Sequence, residues 1–458
     1  MRLSLPLLAA FALAPTLASA TDNNDLRSLR EEVSRMRETY EKRIRDLESR
    51  LSQAETKVSN TEAKVAESVP QAPAAAPTAA SNAFNPDVSL ILSGQYGNLS
   101  KDPASYRITG FHLPSDTLDG VKPGRGLSLT ESELGISANI DHLFYGAMLF
   151  SIAPDNSVST EEAFIQTTAL PYGLTVKAGR HYSGIGYLNE QHAHTWDFVD
   201  APLAYRAFLG GQFGSDGVQV RWLAPTNTFV EIGAELGRGS NYPGTERSKN
   251  GAGSSAIFAH LGGDVGISHS WRAGVSYLGT AARDRQYDDT DTTGTSVTNS
   301  FSGNSRLWIA DGVWKWAPNG NASATNFKLQ GEYLRRTESG DLTYDTNAAS
   351  MGTATDRYSG VQSGWYLQGV YQFAPKWRVG VRTERLATGS IDYGSNAASL
   401  QASRYAPSAR ALMFDYNPSE FSRIRLQFAQ DKSREGITDN QIFLQYQMSL
   451  GAHGAHKF

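Results

Sequence analysis

The sequence predicts an all-β fold: a transmembrane antiparallel β-barrel of about sixteen strands, preceded by an α-helical coiled coil. Three observations carry that expectation. From Asp87 to Leu450, segments of about ten residues alternate apolar and polar side chains, which gives a strand one greasy and one wet face. The connections between them alternate between short turns and long polar loops, as in barrels that cross a membrane with strands. A secretory leader stands ahead of them.

The leader, residues 1–20, has Arg2 at its positive end, an apolar stretch from Leu3 to Leu17 and small residues Ala18-Ser19-Ala20 at the expected cleavage point. Pro6 and Pro15 interrupt it, and it is shorter than the ~20 apolar residues of a membrane-spanning helix. Residues 21–67 form the predicted coiled coil. Leu26, Leu29, Val33, Met36, Tyr40, Ile44, Leu47, Leu51, Ala54, Val58 and Val65 recur at heptad spacing, with one extra four-residue step at Met36–Tyr40–Ile44. Such a stutter locally unwinds a supercoil. So narrow an apolar stripe calls for self-association, and the barrel context favours a homotrimer. Residues 68–86, with Pro70, Pro73 and Pro77 among Ala, Ser and Thr, read as an extended spacer. The barrel is expected over 87–451, and 452–458 forms a tail.

Composition agrees. The 458 residues include 20 Tyr, 19 Phe, 8 Trp and 43 Gly but no Cys, which excludes disulfides, thiolate metal sites and Cys nucleophiles together. A net charge of −4 gives no signal of a nucleic-acid partner. Enzyme signatures are missing as well: no Gly-x-Ser-x-Gly elbow on a strand-to-helix turn, no His-Glu-x-x-His and no phosphate-binding glycine loop.

Short turns are predicted at Asp141-His142, Pro171–Gly173, Ala224–Asn227, Ile267-Ser268, Ala317–Gly320, Ala374–Lys376 and Asn417-Pro418. Longer loops are predicted at 99–125, 154–158, 183–213, 238–253, 281–303, 337–361, 387–406 and 431–438. Sixteen strands then place both ends on the short-turn, periplasmic side, and the coiled coil with them. Faces follow from parity: Trp365, Leu367, Tyr371 and Phe373 oppose Tyr366, Gln368, Val370 and Gln372, and Ile442, Leu444, Tyr446, Met448 and Leu450 oppose Phe443, Gln445, Gln447 and Ser449.

With the leader, the heptads, the strand Val176-Lys177-Ala178-Gly179-Arg180 before a long third loop, and the terminal Phe458, the layout resembles Gram-negative outer-membrane porins. The likeness is to sixteen-stranded trimeric porins related to phosphate-selective ones. In that family a terminal aromatic residue is read by the barrel-assembly machinery; here the last strand ends near Leu450 and Gly451–Phe458 follows it. The segment Gly184-Ile185-Gly186-Tyr187-Leu188-Asn189-Glu190-Gln191-His192-Ala193-His194-Thr195-Trp196-Asp197 resembles a proteobacterial group labelled zinc-regulated or TonB-dependent outer-membrane receptors. TonB-dependent receptors have 22 strands and a folded plug, for which this chain has no room, so the resemblance implies a porin-like member.

The third loop is the expected seat of selectivity, because the resemblance implies that it folds into the lumen. It carries Glu190, Asp197 and Arg206, with Lys177 and Arg180 on the strand before it. By parity the inner wall adds Arg221, Arg272, Lys315, Lys328, Arg336, Arg378, Arg382, Arg423 and Arg425, opposed by Glu133, Glu231, Glu235, Asp311, Glu332 and Glu384. The surplus of bases predicts a mild anion preference; the alternative is a wall whose charges pair locally and select little. His192 and His194, on one side of an extended chain, could hold zinc with Glu190, Asp197 or Asp200; beyond that no cofactor is expected. The expected function is passive diffusion of small hydrophilic solutes across the outer membrane. The alternatives are a receptor or channel for zinc or a metal complex, and a tether from outer-membrane lipid to peptidoglycan.

Overall fold

Alternation governs the structure residue by residue. The computed structural model describes residues 86–246 and 248–451; the expected leader, coiled coil, most of the spacer and the tail lie outside the described residues. The strands are β1 (Asp87–Leu99), β2 in two pieces (Gly126–Leu129 and Ser132–Asn139), β3 (Phe144–Ile152), β4 (Val158–Thr167), β5 (Leu174–Tyr182), β6 (Gly214–Leu223), β7 (Phe229–Gly237) and β8 (Ser254–Val265). They continue as β9 (His269–Thr290), β10 (Ser296–Trp316), β11 (Asn326–Tyr344), β12 (Ala354–Ala374), β13 (Trp377–Asp392), β14 (Ser408–Ser419), β15 (Ser422–Lys432) and β16 (Asp439–Gly451). Both pieces of β2 pair with β1, so the seventeen segments of the sheet make sixteen crossings. Every neighbour is antiparallel, and β1 closes on β16 from Ser89↔Gly451 to Leu99↔Gln441. Closure removes the free edges that would otherwise expose unpaired backbone.

The outward face is an apolar belt. Ile257, Val275, Leu367, Val381, Phe428, Ile442 and Leu444 are all exposed, whereas their neighbours Phe258, Ser276, Gln368, Arg382, Gln427, Phe443 and Gln445 are buried inside. Aromatic residues sit in two rows. Trp271, Trp314, Phe327 and Tyr371 lie near the short turns, and Tyr277, Trp308, Tyr333 and Trp365 each stand six residues along the same strands. Neighbours in a row touch, as Trp314 and Phe327 do at 5.8 Å and Tyr277 and Trp308 at 4.9 Å. A continuous belt of this kind needs lipid to cover it.

Three predicted loops are shorter than expected. The segments 281–303, 337–361 and 387–406 continue the strands, leaving connections at 291–295, 345–353 and 393–407. Their Gly, Ser and Thr content reads as loop, but Tyr287, Val297, Phe301, Leu342, Tyr344, Tyr393 and Leu400 pack into one buried cluster that holds the extensions upright. The turn expected at Asn417-Pro418 lies between Ser419 and Ser422. Pro418 sits instead at a register irregularity, where a missing ladder donor costs nothing.

Candidate functional site in the barrel lumen

The main core of this barrel is inside its lumen and is made by two loops. Loop 3, residues 183–213, contains α2 (Leu203–Leu209), every residue of which is buried. Loop 1, residues 100–125, contains α1 (Ser115–Val121) and contributes buried Tyr106, Ile108, Phe111 and Leu113 to the same cluster. A helix that is apolar but for Arg206 calls for enclosure, and the wall encloses it with Leu334, Tyr366 and Leu386. Phe111 packs edge-on against Phe208 at 5.6 Å. Gly210, at φ 65°, ends the helix in the left-handed region that favours glycine.

Polar wall residues then satisfy the loop's backbone. Glu332 of β11 accepts from Leu188 N (3.0 Å), the Tyr205 hydroxyl (2.9 Å) and the Tyr366 hydroxyl (2.6 Å). Glu384 of β13 accepts the Leu203 N–H, one of the first helical donors that has no partner within the helix. Glu235 of β7 accepts from Gly184 N at 2.8 Å, and Arg425 of β15 donates to Trp196 O at 2.8 Å.

Most predicted selectivity residues hold loop 3 rather than face open space. Asp197 pairs with Lys328 and, at 3.4 Å, with Arg378. Arg378 and Arg425 share the fully buried Asp415, at 2.6 and 2.8 Å. Arg382 meets Asp200 at 2.7 Å and Glu384 at 3.2 Å. Arg423 donates to His194 O at 2.9 Å and to Gln447 at 2.6 Å. Arg221 pairs with Glu190 and Glu231, and Lys177 lies over the Phe164 ring at 4.3 Å. Arg206 donates to the Tyr106 hydroxyl at 2.8 Å and sits 3.4 Å from Asp200. Arg180 is half-exposed and pairs with Asp216 at 2.7 Å. The local-pairing alternative is therefore the one this geometry favours over a ring of free bases.

Burial alone would raise the Asp197 and Asp200 carboxyls. For Asp197 the charges of Lys328 and Arg378 outweigh it, and for Asp200 those of Arg382 and Arg206, so both are held below the usual carboxylate range.

The expected metal grouping needs a correction. His192 and His194 do come together, their rings stacked at 5.7 Å. Asp197 does not join them: Ala193–Thr195 forms a single 3-10 turn, after which the chain carries Asp197 to the opposite wall. The histidines meet acids of β2 and β4 instead. His192 Nδ1 lies 3.0 Å from Glu133 and 3.1 Å from Glu161, and its Nε2 lies 3.1 Å from Glu162. Burial would lower the His192 pKa, but these three carboxylates dominate and hold it well above the ordinary imidazole value. Sequence reasoning missed this grouping because two adjacent residues, Glu161 and Glu162, should face opposite ways. A register shift places Glu162 opposite Leu149 and Thr160 opposite Phe150, and the extra residue of such a bulge re-aims side chains.

No family model matches the sequence. A protein of Aquifex aeolicus (strain VF5), described only as an uncharacterized protein, is 31% identical over 410 residues, covering 83% of this chain and 81% of that one. The chain belongs to that protein's family. Solved barrels resemble it more distantly. OmpT of Vibrio cholerae lacking loop L8 has 11% identity, covers 80% of this chain and 99% of its own, and gives a TM-score of 0.49. The anion-selective porin from Comamonas acidovorans has 10% identity over 80% and 99% of the two chains, with a TM-score of 0.47. The outer-membrane channel DcaP of Acinetobacter baumannii has 11% identity over 80% and 97%, with a TM-score of 0.45. At that distance no solute or selectivity transfers from them.

In this member of the family, loop 3 leaves space on one side. A cavity of about 610 Å³ runs between the loop and the β1–β6 wall, lined by Gln95, Thr130, Glu131, Thr160, Glu161 and Arg180 among others. Its charged lining is mixed: Glu131, Glu161, Asp200 and Asp216 face Lys122, Arg180 and Arg206.

Proposed function

We propose that this protein is an outer-membrane channel that passes small hydrophilic solutes passively, through the eccentric space between loop 3 and the β1–β6 wall. The observation that carries this reading is the pairing of a closed barrel with an apolar outer belt and a polar cavity beside a firmly held inner loop. No chemical step is assigned to it. Arg180 and Arg206 are matched by Asp216 and Asp200, and Lys122 stands against Glu131 and Glu161, so the lining is at most slightly acidic and selectivity between small cations and anions is weak. The same reading includes a homotrimer joined by the amino-terminal heptads, with that helix in the periplasm.

Planar-bilayer recording of the purified protein tests it. Ohmic steps with a reversal potential near zero in a salt gradient are expected. Folded protein that inserts without conducting would overturn the channel.

A further inference from the structure

The acids gathered by His192 are unusual in their charge balance. Glu131 lies between the two pieces of β2, Glu133 on its second piece and Glu161 on β4, and the ion pairs of Glu133 and Glu161 run to His192 and His194, not to Lys or Arg. One ligand atom from each of Glu131, Glu133, Glu161 and His192 lies within 4.8 Å of the others. Nδ1 of His192 offers one hydrogen to two carboxylates, Glu133 at 3.0 Å and Glu161 at 3.1 Å, and the Glu161 contact has the hydrogen-bond geometry. Glu133, only 3% exposed, therefore keeps Oε2 without a hydrogen bond, and so does Oε1 of Glu131, although both atoms are shut off from solvent. Buried carboxylate oxygens left in this way are costly, and four carboxylates around two imidazoles call for further positive charge.

We propose that Glu131, Glu133, Glu161 and His192 form a divalent-cation site on the wall of the lumen cavity. One imidazole nitrogen with three carboxylate oxygens suits a first-row transition ion such as zinc. Oxygen and nitrogen ligands stand roughly 3.5 Å apart around a tetrahedral ion at about 2.0–2.2 Å, so the four groups, within 4.8 Å of one another, would close by about an ångström at the widest pair. The cation takes the place of the hydrogen on Nδ1. The other ring nitrogen already faces Glu162 at 3.1 Å, the carboxylate–histidine–metal arrangement that fixes a ligand ring and raises its basicity. Glu131 and Glu161 line the cavity, which gives the ion a way in. This site goes beyond the proposed conduction and does not rest on it.

Zinc titration of the full chain in detergent, by calorimetry, tests the proposal, with visible absorption of cobalt(II) as a second probe. The background carries His453→Ala and His456→Ala, so that tail imidazoles do not contribute. One zinc per chain is expected, weakened by about tenfold to 100-fold or more in Glu161→Gln and in His192→Gln. Heat-modified migration on gels confirms that each variant is folded. Glu131→Gln, on the cavity surface, repeats the test with the least disturbance of loop 3. Folded protein that binds no zinc, or binds it equally well in all three variants, overturns the site. Zinc binding without conductance would leave the site standing and remove the channel, and conductance without zinc binding would do the reverse.

Discussion

Along β11–β15 the inward residues are nearly all buried and meet loop 3 directly, whereas β1–β6 hold it through polar contacts such as those of Glu133, Glu161 and Glu162 with His192 and leave Gln95, Thr130, Thr160 and Arg180 beside open space. Charge density does not explain the contrast, since both walls carry acids and bases. Apolar surface does. The first wall offers Leu334, Tyr366 and Leu386 to α2, and Gly364 of β12 lets the helix close in, for a Cβ there would stand 3.2 Å from Phe208. The second wall offers Gln95, Thr130, Ser159 and Thr160, which give a helix nothing to bury. The helix of loop 3 therefore lies against one side, and the ion pairs on that side complete a surface that burial selected. Charged residues of the first wall position the loop, whereas on the second some hold it, as the acids at His192 do, and others such as Arg180 and Asp216 face the cavity.

The largest blow to this contrast comes from Asp415, which is fully buried and holds both Arg378 and Arg425. Asp415→Ala leaves the buried Arg425 without its carboxylate and takes one of two from the partly buried Arg378, and breaking a buried pair costs about 3–5 kcal/mol. Urea unfolding in detergent should register that loss, and channels that still form should be noisier as Trp196 and its neighbours come free. Unchanged stability would mean that the sealed wall does not depend on its charges.

Acid should act next. The carboxyls of Asp197 and Asp200 sit below their usual range in the folded protein. Their contribution is then fully present above the unfolded value of about 3.9 and is lost as pH falls through the depressed folded values. Loop 3 should stay docked down to about pH 4 and loosen below it, seen as a rise in conductance on acidification. Opening that begins near neutral pH would contradict the pairing described for these two residues.

Much of this was legible beforehand, and the limits have physical causes. Parity placed Lys328, Glu332, Arg378, Glu384 and Arg425 on the inner wall, because a side-chain period of two leaves no other face once the lipid side is known. The third loop's bounds, 183–213, match the ends of β5 and β6. What parity cannot supply is a partner. Parity leaves open whether each inward base meets an anion or pairs locally, and only the path of loop 3 shows that Asp197, Asp200 and the carbonyls of His194 and Trp196 reach those bases first. The second buried layer had a quieter signal in Tyr106, Ile108, Phe111 and Leu113, apolar residues in what otherwise reads as a polar external loop. The acids around His192 had even less, since a bulge at Glu161 breaks the period from which faces are read.

The smallest expected effect on stability is the sharpest test of the two walls. Arg180 and Asp216 are each about half exposed, at 46% and 47%, and exposed pairs contribute only about 0–1 kcal/mol. Arg180→Gln should therefore leave unfolding unchanged. It also removes a positive charge from the cavity lining while Glu131, Glu161, Asp200 and Asp216 stay, so the reversal potential should move toward cation preference. The shift should be clearest at low ionic strength, since charges are screened over about 10 Å at 0.1 M. Arg423→Gln changes the formal charge equally, but its side chain binds loop carbonyls on the sealed wall, and its reversal potential should stay near that of the parent. Equal shifts in the two variants would mean that solute passes along both walls, and the division drawn between them would fall.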